Sequence, residues 1–66
     1  MNIRLNGSEK TLKNIASLSE LLEDLSLNPK TVVVELNNEI IQPGSYDEQT
    51  LTESDSVEII RFVGGG

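Results

Sequence analysis

The side chains that could carry out covalent or acid–base chemistry in this sequence are carboxylates, hydroxyls and amines. There is no cysteine and no histidine, so neither a thiolate, an imidazole base nor the commonest zinc ligand is on offer. Serines are present, but no histidine can activate one, and none lies in a strand–turn–helix elbow. The eleven acidic residues are spread over helix, strand and loop segments with no apolar surround to shift a pKa, so they read as a solvated surface. Asp47-Glu48 and Glu53/Asp55 could hold a hard cation, but they lack the D-x-[DN]-x-[DN]-G spacing of a calcium loop. Lys10 and Lys13 fit the charges that protect an exposed sheet edge. Side-chain catalysis and a metal site are both set aside.

What remains is the main chain at the C-terminal end, Phe62-Val63-Gly64-Gly65-Gly66. Gly66 is read as carrying a free main-chain carboxylate just beyond an apolar strand. Gly64 and Gly65, without Cβ atoms, can enter a narrow channel and take whatever backbone conformation an enzyme requires. Extended, the three residues reach about 10 Å past the sheet. A carboxylate is a poor electrophile; a separate ATP-using enzyme would convert it to an acyl-adenylate, from which a nucleophile could take the acyl group. Read alone, a terminal triple glycine is equally a frayed end or a cloning scar. Its weight comes from being joined to an apolar strand end in an acidic domain.

The elements that must position this tail follow from the patterning. Met1, Ile3 and Leu5 alternate with polar residues, as in a half-buried strand. Asn6-Gly7 signals a hairpin turn, and Ser8 to Lys13 would return as a polar edge strand with Leu12 as its apolar contact. Ser17-Leu18-Ser19-Glu20 fits a capping box. Leu18, Leu21, Leu22 and Leu25 then form one apolar helical stripe, with Glu20, Glu23 and Asp24 in water. Asn28 is expected in a left-handed C-terminal position, and Pro29 stops the helix. Thr31 to Leu36 is β-branched and reads as a strand. Asn37-Asn38 turns the chain, Glu39 to Ile41 pairs back, and Pro43-Gly44 ends that pairing. A loop through Tyr46 and Leu51, with room for one helical turn, leads to a last strand from Val57 to Val63.

A hairpin that crosses by one helix to further strands fits an α+β sheet with one covered face. The helix stripe would cover Ile3, Leu5, Val32, Val34, Val57 and Ile59. Alternation then sends Val33, Ile60 and Phe62 to the uncovered face, unless a β-bulge turns them back. Exposed there, with Val63, they would form an apolar patch near the tail that docks a partner.

Sixty-six residues allow one domain, and such a short chain buries only about 60% of its unfolded surface. A net charge of −6 disfavours nucleic acid and suits a basic protein surface. No apolar run approaches the roughly 20 residues of a membrane span, and the opening residues are not expected to be a leader, lacking its charged-then-apolar pattern. The expectation is a cytoplasmic domain with no membrane association, monomeric when free.

These residues resemble the ThiS sulfur carrier family of the β-grasp, ubiquitin-like superfamily, over nearly the whole chain. The resemblance runs through Ile3-x-Leu5-Asn6-Gly7, Leu18-x-x-Leu21-Leu22, Val32-x-Val34-Glu35-x-Asn37-x-Glu39-Ile40-Ile41, Leu51-x-x-x-Asp55-x-Val57-Glu58-Ile59-Ile60 and Phe62-Val63-Gly64-Gly65-Gly66. The ending is more similar to this family than to the molybdopterin synthase small subunit, which shares the Gly-Gly end. Two turns depart from the family pattern, with Asn38 where Gly is frequent and Ser54 where Gly precedes the aspartate.

The resemblance implies an α+β, β-grasp fold. It has a mixed sheet of four to five strands with one main helix packed on one face, a single domain over 1–63 and a flexible Gly-Gly-Gly tail over 64–66. It also implies a chemical cycle. A ThiF-like adenylating enzyme, using ATP and magnesium, would activate Gly66. Sulfur from a cysteine desulfurase system would make it a thiocarboxylate, and thiazole synthase (ThiG-like) would accept that sulfur. The chain would be a substrate rather than an enzyme, with no cofactor of its own. A carrier for molybdopterin or another sulfur relay, a ubiquitin-like modifier of lysines, and a plain interaction module are the other readings.

Overall fold

The computed structural model describes residues 1–62. Five strands form one mixed sheet in the order β2-β1-β5-β3-β4. They are β1 (Asn2–Leu5), β2 (Ser8–Thr11), β3 (Val32–Leu36), β4 (Glu39–Ile41) and β5 (Ser56–Arg61). A single α-helix, α1 (Leu18–Asp24), lies between β2 and β3 in the chain. The expected α+β sheet with one covered face is present.

Both hairpins are built by their turn residues. Asn6 and Gly7 have φ of 49° and 84°, and Asn37 and Asn38 have 51° and 73°, the two consecutive left-handed residues that match a tight turn to strand twist. The Asn37-Asn38 turn sets Leu36 opposite Glu39 and Glu35 opposite Ile40. The central pairing is parallel, with Leu5 beside Val57. Asn6 extends it with its side chain: Oδ1 accepts from the Ile59 N–H at 2.8 Å, while its own N–H reaches Val57 O at 2.9 Å.

The capping box at the start of α1 is present as read from the sequence. Ser17 Oγ accepts from the Glu20 N–H, and the Glu20 carboxylate accepts from Ser17 N–H. Leu18, Leu21 and Leu22 are fully buried against Ile3, Val32, Val34, Val57 and Ile59, with Leu12, Tyr46 and Leu51 closing the margins. Leu5 is half-buried at the edge of this core, and Leu25 is half-buried as the residue capping the helix C-terminus.

Several boundaries differ from the sequence reading. Met1 is exposed and precedes β1 instead of opening it. β2 stops at Thr11, two residues before Lys13, and Leu12 turns into the core as expected. The left-handed residue after the helix is Ser26 (φ 60°), not Asn28 (φ −78°). Asn28 instead caps a 3₁₀ turn over Pro29–Thr31, its Oδ1 accepting from Lys30 N–H at 2.9 Å. The physical reason is that Pro29 prefers the first position of a helical turn, and the residue before proline is driven to extended backbone. The helical turn in the following loop is a second 3₁₀ turn, Pro43–Ser45. The buried Tyr46 follows it, its hydroxyl without a hydrogen bond; burial raises its pKa, partly offset by the nearby Val34 backbone. The last strand begins at Ser56 and stops at Arg61, short of the expected end at Val63, because Phe62 is already outside the β3–β5 pairing; the 63/64 domain boundary lies outside the described residues.

Asp55 departs from the expectation that no carboxylate is perturbed. Burial pushes its carboxyl up, but the Thr52 N–H (2.8 Å), the Asn37 side-chain amide (3.1 Å) and the Thr52 hydroxyl (3.1 Å) outweigh it and hold the pKa below the ordinary value. Asn37 Oδ1 meanwhile accepts from Ser56 N–H at 3.0 Å, so one short network ties the β3–β4 turn to the start of β5. A depressed carboxyl pKa gives stability that is complete above the unfolded value of about 3.9 and lost as pH falls through the folded value. Asp55→Asn is therefore expected to cost about 1 kcal/mol near neutral pH, with the gap from wild type closing as pH falls below the ordinary carboxylate value of about 3.9. Urea midpoints of both proteins across that range measure it; a pH-independent gap would mean the charge of Asp55 does not contribute.

Candidate functional site

The two faces of the sheet differ completely. Ile3, Val32, Val34, Val57 and Ile59 lie under the helix, each 9% exposed or less. The alternate residues have no cover. Ile60 is 53% and Phe62 61% exposed, and Val33, directly opposite Ile60 in the register, is half-buried. β5 pairs with β3 without interruption from Val57 to Arg61, so no bulge turns these residues inward. The sequence-derived docking residues Val33, Ile60 and Phe62 therefore share one open face. Val63, Gly64, Gly65 and Gly66 lie outside the described residues.

Ile40, 64% exposed, joins the same face and was not singled out from the sequence. The signal was available, because a two-residue turn at Asn37-Asn38 fixes Ile40 opposite Glu35 and thus on the Val33 side of the sheet. Phe62 follows the last paired residue of β5, but its N–H still donates to Thr31 O at 2.9 Å. The main chain is thus anchored to the sheet one residue before the segment Val63-Gly64-Gly65-Gly66.

Among the described residues no three carboxylates converge into a metal-binding group, and no helix is long and apolar enough to cross a membrane. The helix side of the sheet carries a shallow groove of about 260 Å³ lined by Leu5, Asn6, Leu25, Leu27, Ile59 and Arg61. The arrangement suits protein contact on the open face, at the end of the strand that leads to the glycines.

A mixed five-stranded sheet with one helix across a single face, and an uncovered apolar face beside the C-terminal strand, defines a β-grasp, ubiquitin-like protein. A sequence model of the ThiS family matches residues 3–66, and the chain belongs to that family. The sulfur carrier protein ThiS of Bacillus subtilis is 42% identical, covering 97% of this chain and 98% of its own. The crystal structure of the thiamine biosynthesis protein ThiS from Geobacter metallireducens superposes with a TM-score of 0.85 at 35% identity, over all of both chains. A thiazole synthase of Magnetococcus marinus is 36% identical over the whole of this chain, which spans about a fifth (20%) of that protein's length.

Proposed function

We propose that this chain is a sulfur carrier protein of thiamine biosynthesis, with the Gly66 carboxylate as its only reacting group. The observation that carries this reading is the family match, which runs through the fold and on to Gly66 itself. The fold supports it by holding an apolar docking face at the end of β5, with Phe62 fixed to Thr31 immediately before the tail.

In this reading the carrier is a substrate. A ThiF-like enzyme, with ATP and magnesium, lets the Gly66 carboxylate attack the α-phosphorus and expel pyrophosphate, giving an acyl-adenylate. A persulfide sulfur supplied by a cysteine desulfurase system attacks the acyl carbon and expels AMP. A thiol then cleaves the resulting acyl disulfide, leaving the thiocarboxylate and taking the other sulfur into a new disulfide. Thiazole synthase accepts the sulfur and returns the carboxylate. That thiazole synthases include a segment similar to this whole chain supports thiazole synthase as the acceptor. The fold contributes no acid, base or metal to these steps. It presents the tail, and its surplus of acidic residues speeds docking on a basic partner face.

The test is the intact mass of the protein after incubation with ATP, a sulfur source and an active ThiF-like enzyme. A gain equal to replacing one oxygen by sulfur is expected. An unchanged mass would defeat the carrier reading, and lysine conjugates in its place would make the chain a protein modifier.

Phe62→Ala separates docking from folding. A side chain this exposed contributes little to the core, so a stability change within about 0.5 kcal/mol is expected. Removal of an aromatic anchor should weaken binding to the activating enzyme about tenfold. Calorimetric binding and a thermal melt read both; unchanged binding would remove Phe62 from the docking face.

A further inference from the structure

The open face carries a like-charge pair that the fold does not neutralise. Glu35 on β3 lies directly opposite Glu58 on β5, with Ile40 on the other side of Glu35 and the Val33–Ile60 pair in the neighbouring row. Like charges placed directly across a sheet oppose the pairing. Neither glutamate enters an ion pair or a side-chain hydrogen bond among the described residues: the ion pair present there is Lys10–Asp24, on the helix side, and the side-chain hydrogen bonds use other groups. Arg4 is the cation among the strand residues of this face; its guanidinium donates to Gly7 O at 3.0 Å, and its neighbours across the sheet are Ser56 on β5 and Glu9 on β2.

We infer that Glu35 and Glu58 form the seat for one arginine of the activating enzyme, whose flanking apolar side chains pack on Ile40, Ile60 and Val33. This rests on the carrier reading, which supplies the partner. Charge complementarity selects a cation, because two adjacent carboxylates on a chain of net charge −6 attract positive charge. Arginine fits better than lysine: its planar fork can bond two carboxylates at once, and its weakly hydrated face tolerates the aliphatic surround. The repulsion between the glutamates in the free carrier is removed on binding, so the pair favours the complex over the free state.

The experiment compares association rates with the ThiF-like enzyme, at low and high salt, for wild type, Glu35→Gln/Glu58→Gln and the control Glu23→Gln/Glu48→Gln. The control loses the same charge from exposed positions on the helix and the loop. The seat variant is expected to associate about tenfold more slowly at low salt and to lose most of its salt dependence. Its thermal midpoint should equal or exceed that of wild type. The control should stay within about twofold of wild type, since its charges lie off the docking face. Equal rates for the seat variant and wild type, or equal slowing of both variants, would overturn the seat, the latter because net charge alone would then explain the effect. Mass gain of wild type with excess enzyme is measured in parallel. Its absence defeats the carrier reading itself, whereas its presence beside an unaffected seat variant defeats only the arginine seat.

Discussion

Removing Gly66 is expected to lower thiocarboxylate formation by at least about 100-fold while leaving the fold unchanged. The truncated chain still ends in a carboxylate, now on Gly65, so the chemistry is not deleted but displaced. One residue of extended chain is roughly 3.4 Å. A nucleophile must come within about 3–3.5 Å of its target, and a misplacement of about 1 Å can cost 100-fold. In the proposed reading the partner cannot take up the slack by drawing the carrier closer, because the main chain is held at Phe62 by its bond to Thr31 and the proposed docking face is fixed in the sheet. Adding one residue after Gly66 should fail for the same reason with the opposite sign. Intact mass reads the reaction, and circular dichroism reads the fold. Conversion of the truncated chain at the wild-type rate would place the reaction elsewhere, and its unfolding would make the tail structural.

The second large effect is on stability. Leu21→Ala is expected to cost about 2–5 kcal/mol, the range for a buried leucine whose cavity collapses only partly. Leu21 has no exposed surface, and it lies in the middle of the only α-helix of the described residues, facing the sheet. At roughly 0.05–0.15 kcal/mol per residue, a chain of 66 residues has about 3–10 kcal/mol in total. The substitution therefore removes a large fraction of the stability and leaves a detectable unfolded population at ordinary temperature. Urea unfolding followed by circular dichroism measures it. A cost below about 1 kcal/mol would mean that the helix does not cover the sheet as described. The contrast with Phe62→Ala is the useful one. Both remove a large apolar side chain, but one side chain is buried between layers and the other stands on an open face.

The strongest local signals in the sequence led to the correct elements. The capping box at Ser17 and Glu20, the leucine stripe and the Asn6-Gly7 turn are decided within a few residues, because each depends on neighbouring backbone groups or on helical spacing. The open apolar face was legible for the same reason, since alternation along β3 and β5 is enforced by the pleat once one face is covered. Asn28 was misread because two local rules competed there. An asparagine can end a helix in the left-handed region, but a following proline pulls it to extended backbone, and the proline prevailed.

What the sequence determined by itself was the set of elements and the division of apolar residues between two faces. Tertiary structure alone decided which strands are neighbours. The parallel pairing of β1 with β5 joins residues more than fifty positions apart, sealed by the Asn6 side chain on Ile59, and no local pattern encodes such a contact. Cross-strand register, likewise, set Glu35 against Glu58, and the assembled sheet brought the Asn37 side chain to Asp55. Local preferences act through adjacent backbone, whereas electrostatic and packing energies depend on distances that exist only once the sheet has assembled.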